Sequence, residues 1–214
     1  MINLQRVISV VGIILLFVGA MMILPLLISL IYKDGDALSL LWSVIVTLIV
    51  GIALYFVGKK KQDIGLRDGF AVVTLGWLAM AFAGALPFYL SGAIPTFTDS
   101  LFESMSGFST TGASTLGSTI SIESLPHGIL FWRNLTQWIG GMGIILLSLA
   151  ILPLLKVGGM QLYRAEFPGP VKDKLTPRIR NTAEILWVVY LLFSIIEFAL
   201  LMIGGMSAFD AACH

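Results

Sequence analysis

Charge is missing from five long stretches of this chain. Val7–Tyr32, Leu38–Gly58, Gly69–Thr98 and Asn134–Leu155 contain no Asp, Glu, Lys or Arg, and Ile185–Phe209 contains one, Glu197. About 20 apolar residues make a helix long enough to cross the hydrocarbon of a bilayer, so each stretch predicts a membrane-spanning helix. Of the 214 residues, 57% are hydrophobic and 12% charged, about half the charge of an ordinary soluble domain. That balance excludes a soluble enzyme, a disordered chain and a fibrous repeat. A net charge of +1 provides no basic field for nucleic acid. One cysteine, Cys213, gives no disulfide framework, and with two histidines no Cys/His metal site is spelled out. The first stretch is too long for a signal-peptide core and has no small-residue cleavage pattern, so it is expected to be retained.

The charges that remain give an orientation. Arg6, Lys59, Lys60, Lys61, Arg67, Lys156, Arg164, Lys172, Lys174, Arg178 and Arg180 are 11 of the 13 basic residues and share one side. The positive-inside rule makes that side cytoplasmic and puts the N-terminus there. Asp34, Asp36, Asp99, Glu103, Glu123 and Asp210 then fall on or near the outer side. This topology forces residues 96–125 to begin and end outside. Within them Ser104–Ile122 has no charge in 19 residues, yet 13 of the 19 are Ser, Thr or Gly. The stretch reads either as a polar outer loop or as a re-entrant loop. Irregular backbone at membrane depth needs protein or a water-filled cavity to satisfy it.

The re-entrant reading has a local plan. Residues 97–107 predict a short helix with Thr98 or Asp99 as N-cap and Gly107 as its stop. The partial negative charge at its C-terminus favours a cation beyond it. There the chain reads Phe108-Ser109-Thr110-Thr111-Gly112-Ala113-Ser114-Thr115. Carbonyls of an extended Thr-Thr-Gly-Ala strand can replace a cation's hydration shell. Gly112 opens backbone angles closed to other residues, and Thr110 and Thr111 add hydroxyls on stiff side chains. A phosphate-binding loop is disfavoured, since no Walker-type lysine follows.

LFESMSGFSTTGAST, LPHGILFWRNLTQWIGGMGIILLSLAILPL and VGGMQLYRAEFPGPVKDKLTPRIRNTAEILW together resemble the TrkH/KtrB family of potassium uptake proteins, its TrkH branch most closely. The resemblance implies an all-α membrane protein built on a helix–pore loop–helix repeat, with two extra N-terminal transmembrane helices. It divides the chain into a helix pair at 1–62, a first repeat at 63–158, and a connection with the first helix of a second repeat at 159–214. Ser207-Ala208-Phe209-Asp210-Ala211 looks like the start of a second pore helix. On this pattern the chain is truncated in the second repeat and holds one filter strand of four. Conduction by this chain alone is therefore in doubt, and either a longer product or several copies would complete the ring. The resemblance implies potassium held at Thr110, Thr111, Gly112 and Ala113, with Thr110 and Thr111 as metal positions. Glycine at 112 argues for potassium over sodium, because a serine there accompanies sodium preference in related plant transporters. It further implies transport without catalysis or cofactor, location in the bacterial inner membrane, a homodimer when full length, and a cytosolic nucleotide-binding partner of the TrkA type docking on 156–180. Without the resemblance, positive-inside topology and lipid attraction explain those basic residues equally well. A non-conducting membrane fragment and a sodium-selective transporter stay open as alternatives.

Several single residues carry two readings. Glu103 either raises cation concentration at a pore mouth or bonds neighbouring backbone donors. Gln137 and Asn134 either hydrogen-bond the filter or are interfacial. Gly140, Gly141 and Gly143 predict close helix packing. Glu197, a carboxylate within an apolar stretch, is a functional candidate that needs a buried partner. Arg133 is expected to snorkel to the outer interface. His127 after Pro126 is expected at a helix start facing the interface. Trp42, Trp77, Trp132, Trp138 and Trp187 suggest an aromatic belt.

Overall fold

The computed structural model describes residues 3–58, 66–117, 121–151 and 175–214. Among them the regular structure is helical. It comprises α1 (Leu4–Met21), α2 (Ile23–Tyr32), α3 (Ala37–Val57), α4 (Leu66–Leu90), α5 (Phe97–Phe108), α6 (His127–Ile151), α7 (Leu175–Ile203) and α8 (Ala208–Cys213), with one 3-10 turn at Ile122–Ser124. Leu4–Tyr32, Ala37–Val57, Arg67–Leu90 and Thr182–Ile203 are long and apolar enough to cross a bilayer. The 25 residues of α6 are long enough too, about 38 Å at the usual helical rise. Lys59–Lys61, the connection 156–174 and the last residues of the fourth apolar stretch lie outside the described residues.

The first apolar stretch is not one straight helix. Pro25 has no N–H to give the carbonyl of Met21, and its ring crowds that carbonyl. The ladder is interrupted at Met22, where Leu26 N–H reaches the Met22 carbonyl only at 3.4 Å. Of the two compact units, the first runs through Gly140 and the second covers 141–212.

In the first unit α1 lies against α3 and α4, and α4 against α5. The α1–α3 seam is made by small residues. A Cβ on Gly12 would stand 2.8 Å from the Gly51 carbonyl, and one on Gly51 would stand 3.1 Å from that of Gly12. In a membrane, where lipid is as apolar as leucine, close backbone approach replaces hydrophobic drive as the reason to pack. Side-chain placement is accordingly turned outward. Ile13, Phe17, Leu27, Ile31, Ile49 and Phe56 are exposed, whereas Ser9, Ser29, Ser43, Thr47, Ser100, Glu103, Ser104 and Thr136 are buried.

Two sets of contacts define the ends of this unit. At one end Asn3 N–H donates to Asp68 Oδ1 at 2.7 Å, and Gly58 packs on Gln5 and Ser9. At the other, the α2–α3 turn meets the end of α4 and the start of α6. Ser39 Oγ donates to the Leu90 carbonyl at 3.0 Å. His127 N–H donates to Asp34 Oδ2 at 2.7 Å, and its ring Nδ1 lies 2.6 Å from the same oxygen while stacking on Tyr32. Asp34 thus caps α6 from a distant loop, placing a carboxylate on the positive end of the helix. Asp36, which unlike Asp34 is buried, accepts from Ser29 Oγ and sits against Gly128. Since α4 ends and α6 begins at this same end, the intervening chain leaves and returns on one side. Both readings of 96–125 require that return; the packing of α5 along α4 is what favours the re-entrant one.

In the second unit Gly141 allows the Tyr190 hydroxyl to approach within 2.7 Å of where a Cβ would stand. There α7 exposes its apolar residues, among them Ile185, Val188, Leu192 and Phe193. The α7–α8 connection repeats the α4–α5 connection in miniature. Gly92 and Gly205 both take positive φ, 71° and 94°. Thr96 and Ser207 then each accept the N–H of an aspartate three residues on, both at 3.1 Å. The two connections thus share a turn glycine and a cap geometry.

The cap on α6 carries a pH dependence. The Asp34 carboxyl is held below the ordinary carboxylate value, first by the His127 backbone N–H, with burial opposing and the His127 ring adding further stabilisation. A depressed folded-state value means the stabilisation is complete at neutral pH and disappears as pH falls through the carboxylate range. Melting of the detergent-solubilised protein should therefore drop on acidification from about pH 6 to about pH 3. The drop should be smaller in Asp34→Asn.

Candidate ion site in the re-entrant segment

Helix α5 carries the chain back from the end at which α4 stops. Its N-cap is Thr96, not Thr98 or Asp99. Asp99 sits at the third helical position, where its N–H bonds Thr96 Oγ1 at 3.1 Å and its carboxylate accepts from the same hydroxyl at 2.5 Å. The first bond satisfies one N–H that a helix start leaves open, and the second orients the hydroxyl that accepts it. The helix passes through Gly107 and ends at Phe108. Its stop is made instead by Thr110 in the left-handed region, φ 55°. Thr111 N–H reaches the Ser106 carbonyl at 3.0 Å and Thr110 N–H the Gly107 carbonyl at 2.9 Å. This is a Schellman closure with threonine where glycine is usual. A β-branched residue there costs of order 1–3 kcal/mol.

Gly107 serves packing. A Cβ on it would fall 2.1 Å from Thr136 Oγ1, one on Gly140 2.0 Å from the Phe108 carbonyl, and one on Gly84 2.4 Å from Ser104 Oγ. Three glycines, one each on α4, α5 and α6, thus seat the lower end of the short helix between the two long ones. Gly140 lies about 20 Å along α6 from His127, so the segment that follows Phe108 begins about halfway along that helix. Phe108 and Trp132 are fully buried and meet edge to face. The Trp132 indole N–H donates to the Gly84 carbonyl at 2.9 Å. Trp132 is therefore a core residue and not part of an aromatic belt.

The predicted site residues Thr110, Thr111, Gly112 and Ala113 follow as an exposed segment that is irregular and not the extended strand expected: Thr110 lies in a turn, and Thr110 and Gly112 both take positive φ. Gly112 has φ 72° with open space where a side chain would project, so what it supplies is backbone freedom. Among the described residues the carbonyls of Thr110, Thr111 and Gly112 accept no hydrogen bond. The Ala113 carbonyl does, from Ser106 Oγ at 2.5 Å. Glu103 is buried, and its carboxylate accepts from three donors, the single Ser114 hydroxyl proton being shared between its two oxygens. Ser114 Oγ reaches both oxygens at 2.9 Å, Thr115 N–H comes to 3.2 Å, and Arg133 Nε to 2.7 Å. The side chains of Arg133 and Glu103 are 13% and 2% exposed. Glu103 therefore has the structural role of the two it was given, and Arg133 does not snorkel but completes a buried ion pair.

The remaining candidates fall elsewhere. Gln137 is half-buried and makes no hydrogen bond to the strand, and Asn134 Nδ2 bonds the Leu130 carbonyl of its own helix at 3.1 Å. Glu197 is exposed on α7 in the second unit. Sequence reasoning missed Arg133, Ser106, Ser114 and Thr115 as holders of the strand. A signal for Arg133 was present, since it is the one charge between Glu123 and Lys156, and a lone charge in an apolar helix needs a partner.

Removing one member of a buried ion pair leaves the other uncompensated, at about 3–5 kcal/mol. Glu103→Ala and Arg133→Ala should each lower the melting temperature of the purified protein strongly. The double variant should be less destabilised than the sum of the two. Additive losses would show that the pair is not coupled.

Comparison with known proteins agrees with this architecture. The TrkH family model, described as cation transport protein, matches residues 39–211. The Trk system potassium uptake protein TrkH of Escherichia coli K12 is 46% identical over 213 residues, covering 98% of this chain and 44% of that protein. The TrkH protein of Vibrio parahaemolyticus is 43% identical, with 98% and 43% covered. The crystal structure of the potassium transporter TrkH from Vibrio parahaemolyticus superposes with a TM-score of 0.83 at 36% identity, covering 99% of this chain and 42% of that one. The chain thus spans less than half the length of the relatives it matches. It is an integral membrane protein, and it belongs to the TrkH family of cation transport proteins.

Proposed function

We propose that this chain contributes one strand of a potassium-selective filter, Thr110-Thr111-Gly112-Ala113, to a channel-like uptake path across the bacterial inner membrane. One observation carries the reading: a neutral, exposed segment with unbonded carbonyls follows a short helix seated between two long apolar ones, fastened from behind by an ion pair. Exposed peptide groups are expensive in hydrocarbon, so such a strand belongs against water, ions or further protein. Carbonyl oxygens at that place can take over the hydration shell of a monovalent cation. The partial negative end of α5 points the same way. No bond is made or broken, so the reading is transport and not catalysis.

A single strand is not a ring. Further strands come either from additional chain of the kind its relatives possess or from further copies of this one. The N-terminus faces the cytoplasm in this reading, as the basic residues ask. A nucleotide-binding regulatory subunit of the TrkA type and a second protomer are the expected protein partners.

The test is rubidium or thallium uptake by cells lacking their own potassium uptake and expressing the complete native reading frame. Gly112→Asp should reduce uptake at least tenfold at an unchanged amount of protein in the membrane. Undiminished uptake would refute the filter assignment. The 214-residue chain alone in liposomes should be silent if further strands come from additional chain. Flux from it would show that copies assemble.

A further inference from the structure

We propose that Ser106, on the buried side of α5, is a positioning residue that sets how well the strand discriminates potassium from sodium. The inference rests on the reading of Thr110–Ala113 as the filter and adds the part that holds its geometry. Ser106 is 6% exposed and touches the strand at two points. Its backbone carbonyl accepts the Thr111 N–H at 3.0 Å, and its hydroxyl donates to the Ala113 carbonyl at 2.5 Å. One residue therefore fixes both ends of the three-residue stretch 111–113. Between these fixed points Gly112 takes its left-handed angle. The Ala113 carbonyl is turned back towards α5, leaving the carbonyls of Thr111 and Gly112 without a protein partner. Which carbonyls are free to meet an ion is thus decided by the Ser106 hydroxyl.

The second clamp is separate. Glu103, three residues earlier on the same helix, holds Ser114 and Thr115 and pairs with Arg133. Ser106 carries no charge and touches neither of those groups among its described hydrogen bonds. Its loss should loosen the strand locally and leave the ion pair in place. Freed from the hydroxyl, the Ala113 peptide can rotate. The number and direction of carbonyls offered to the ion then vary, and these govern selection between monovalent cations.

The experiment measures initial uptake of rubidium and of sodium, in the same cells, by the complete native reading frame and its variants. Ser106→Ala keeps the backbone bond to Thr111 and removes the donor to Ala113. A net hydrogen bond is worth about a two- to tenfold factor, so the rubidium-to-sodium ratio should fall by about that much. Ser106→Thr, which keeps a hydroxyl, should restore it. If Ser106→Ala does not accumulate in the membrane, Ser106→Cys, with a weaker donor of similar size, should show the same fall. A ratio within twofold of the parent in the measured variant would overturn the role of Ser106, provided Gly112→Asp abolishes uptake. If Gly112→Asp also transports normally, the filter assignment itself fails, and the proposal for Ser106 falls with it.

Discussion

The re-entrant segment depends on one buried interaction, the pair between Glu103 and Arg133. A carboxylate and a guanidinium withdrawn from water are costly unless each satisfies the other and the surplus lone pairs are filled. Here Glu103 accepts from Arg133 on α6 and from Ser114 and Thr115 on the loop, while being itself part of α5. Three segments are thereby fixed to one another by a single side chain, in addition to the apolar contacts of Phe108 and Leu116 with α6. Hydrophobic burial alone would not do this, because Ser, Thr and Gly dominate the loop and offer little surface to bury.

Close backbone contact supplies the other half of the fixation. Gly84, Gly107 and Gly140 remove the side chains that would keep α4, α5 and α6 apart. The Phe108 ring and the Trp132 indole then fill the space between them. The segment is thus fastened from behind and exposed in front. In the proposed reading, that leaves its carbonyls placed before an ion arrives.

The sequence showed the spans, the polarity of the loop and the short helix in front of the strand, because these follow from charge-free length and from composition over a local window. The break at Met22 was also legible in Pro25, although the uniform apolarity of Val7–Tyr32 hid it. The pairings were not legible. Glu103 and Arg133 are 30 residues apart, and nothing in the period of either helix says which faces meet. Trp132 looked interfacial because it lies near a run end, yet the Gly84 carbonyl gives its N–H a buried partner. Thr110 in place of glycine at the helix stop broke the local rule that made Gly107 seem the terminator, and that departure coincides with the strand where function is expected.

The most direct measurement is anomalous diffraction from crystals of the protein made from its native reading frame and soaked in thallium or rubidium. The expected result is ion density against the carbonyls of Thr111 and Gly112, with the Ala113 carbonyl still turned to Ser106. Ion density elsewhere in a well-ordered map, with those carbonyls bonded to protein, would contradict the assignment of this strand as the ion site.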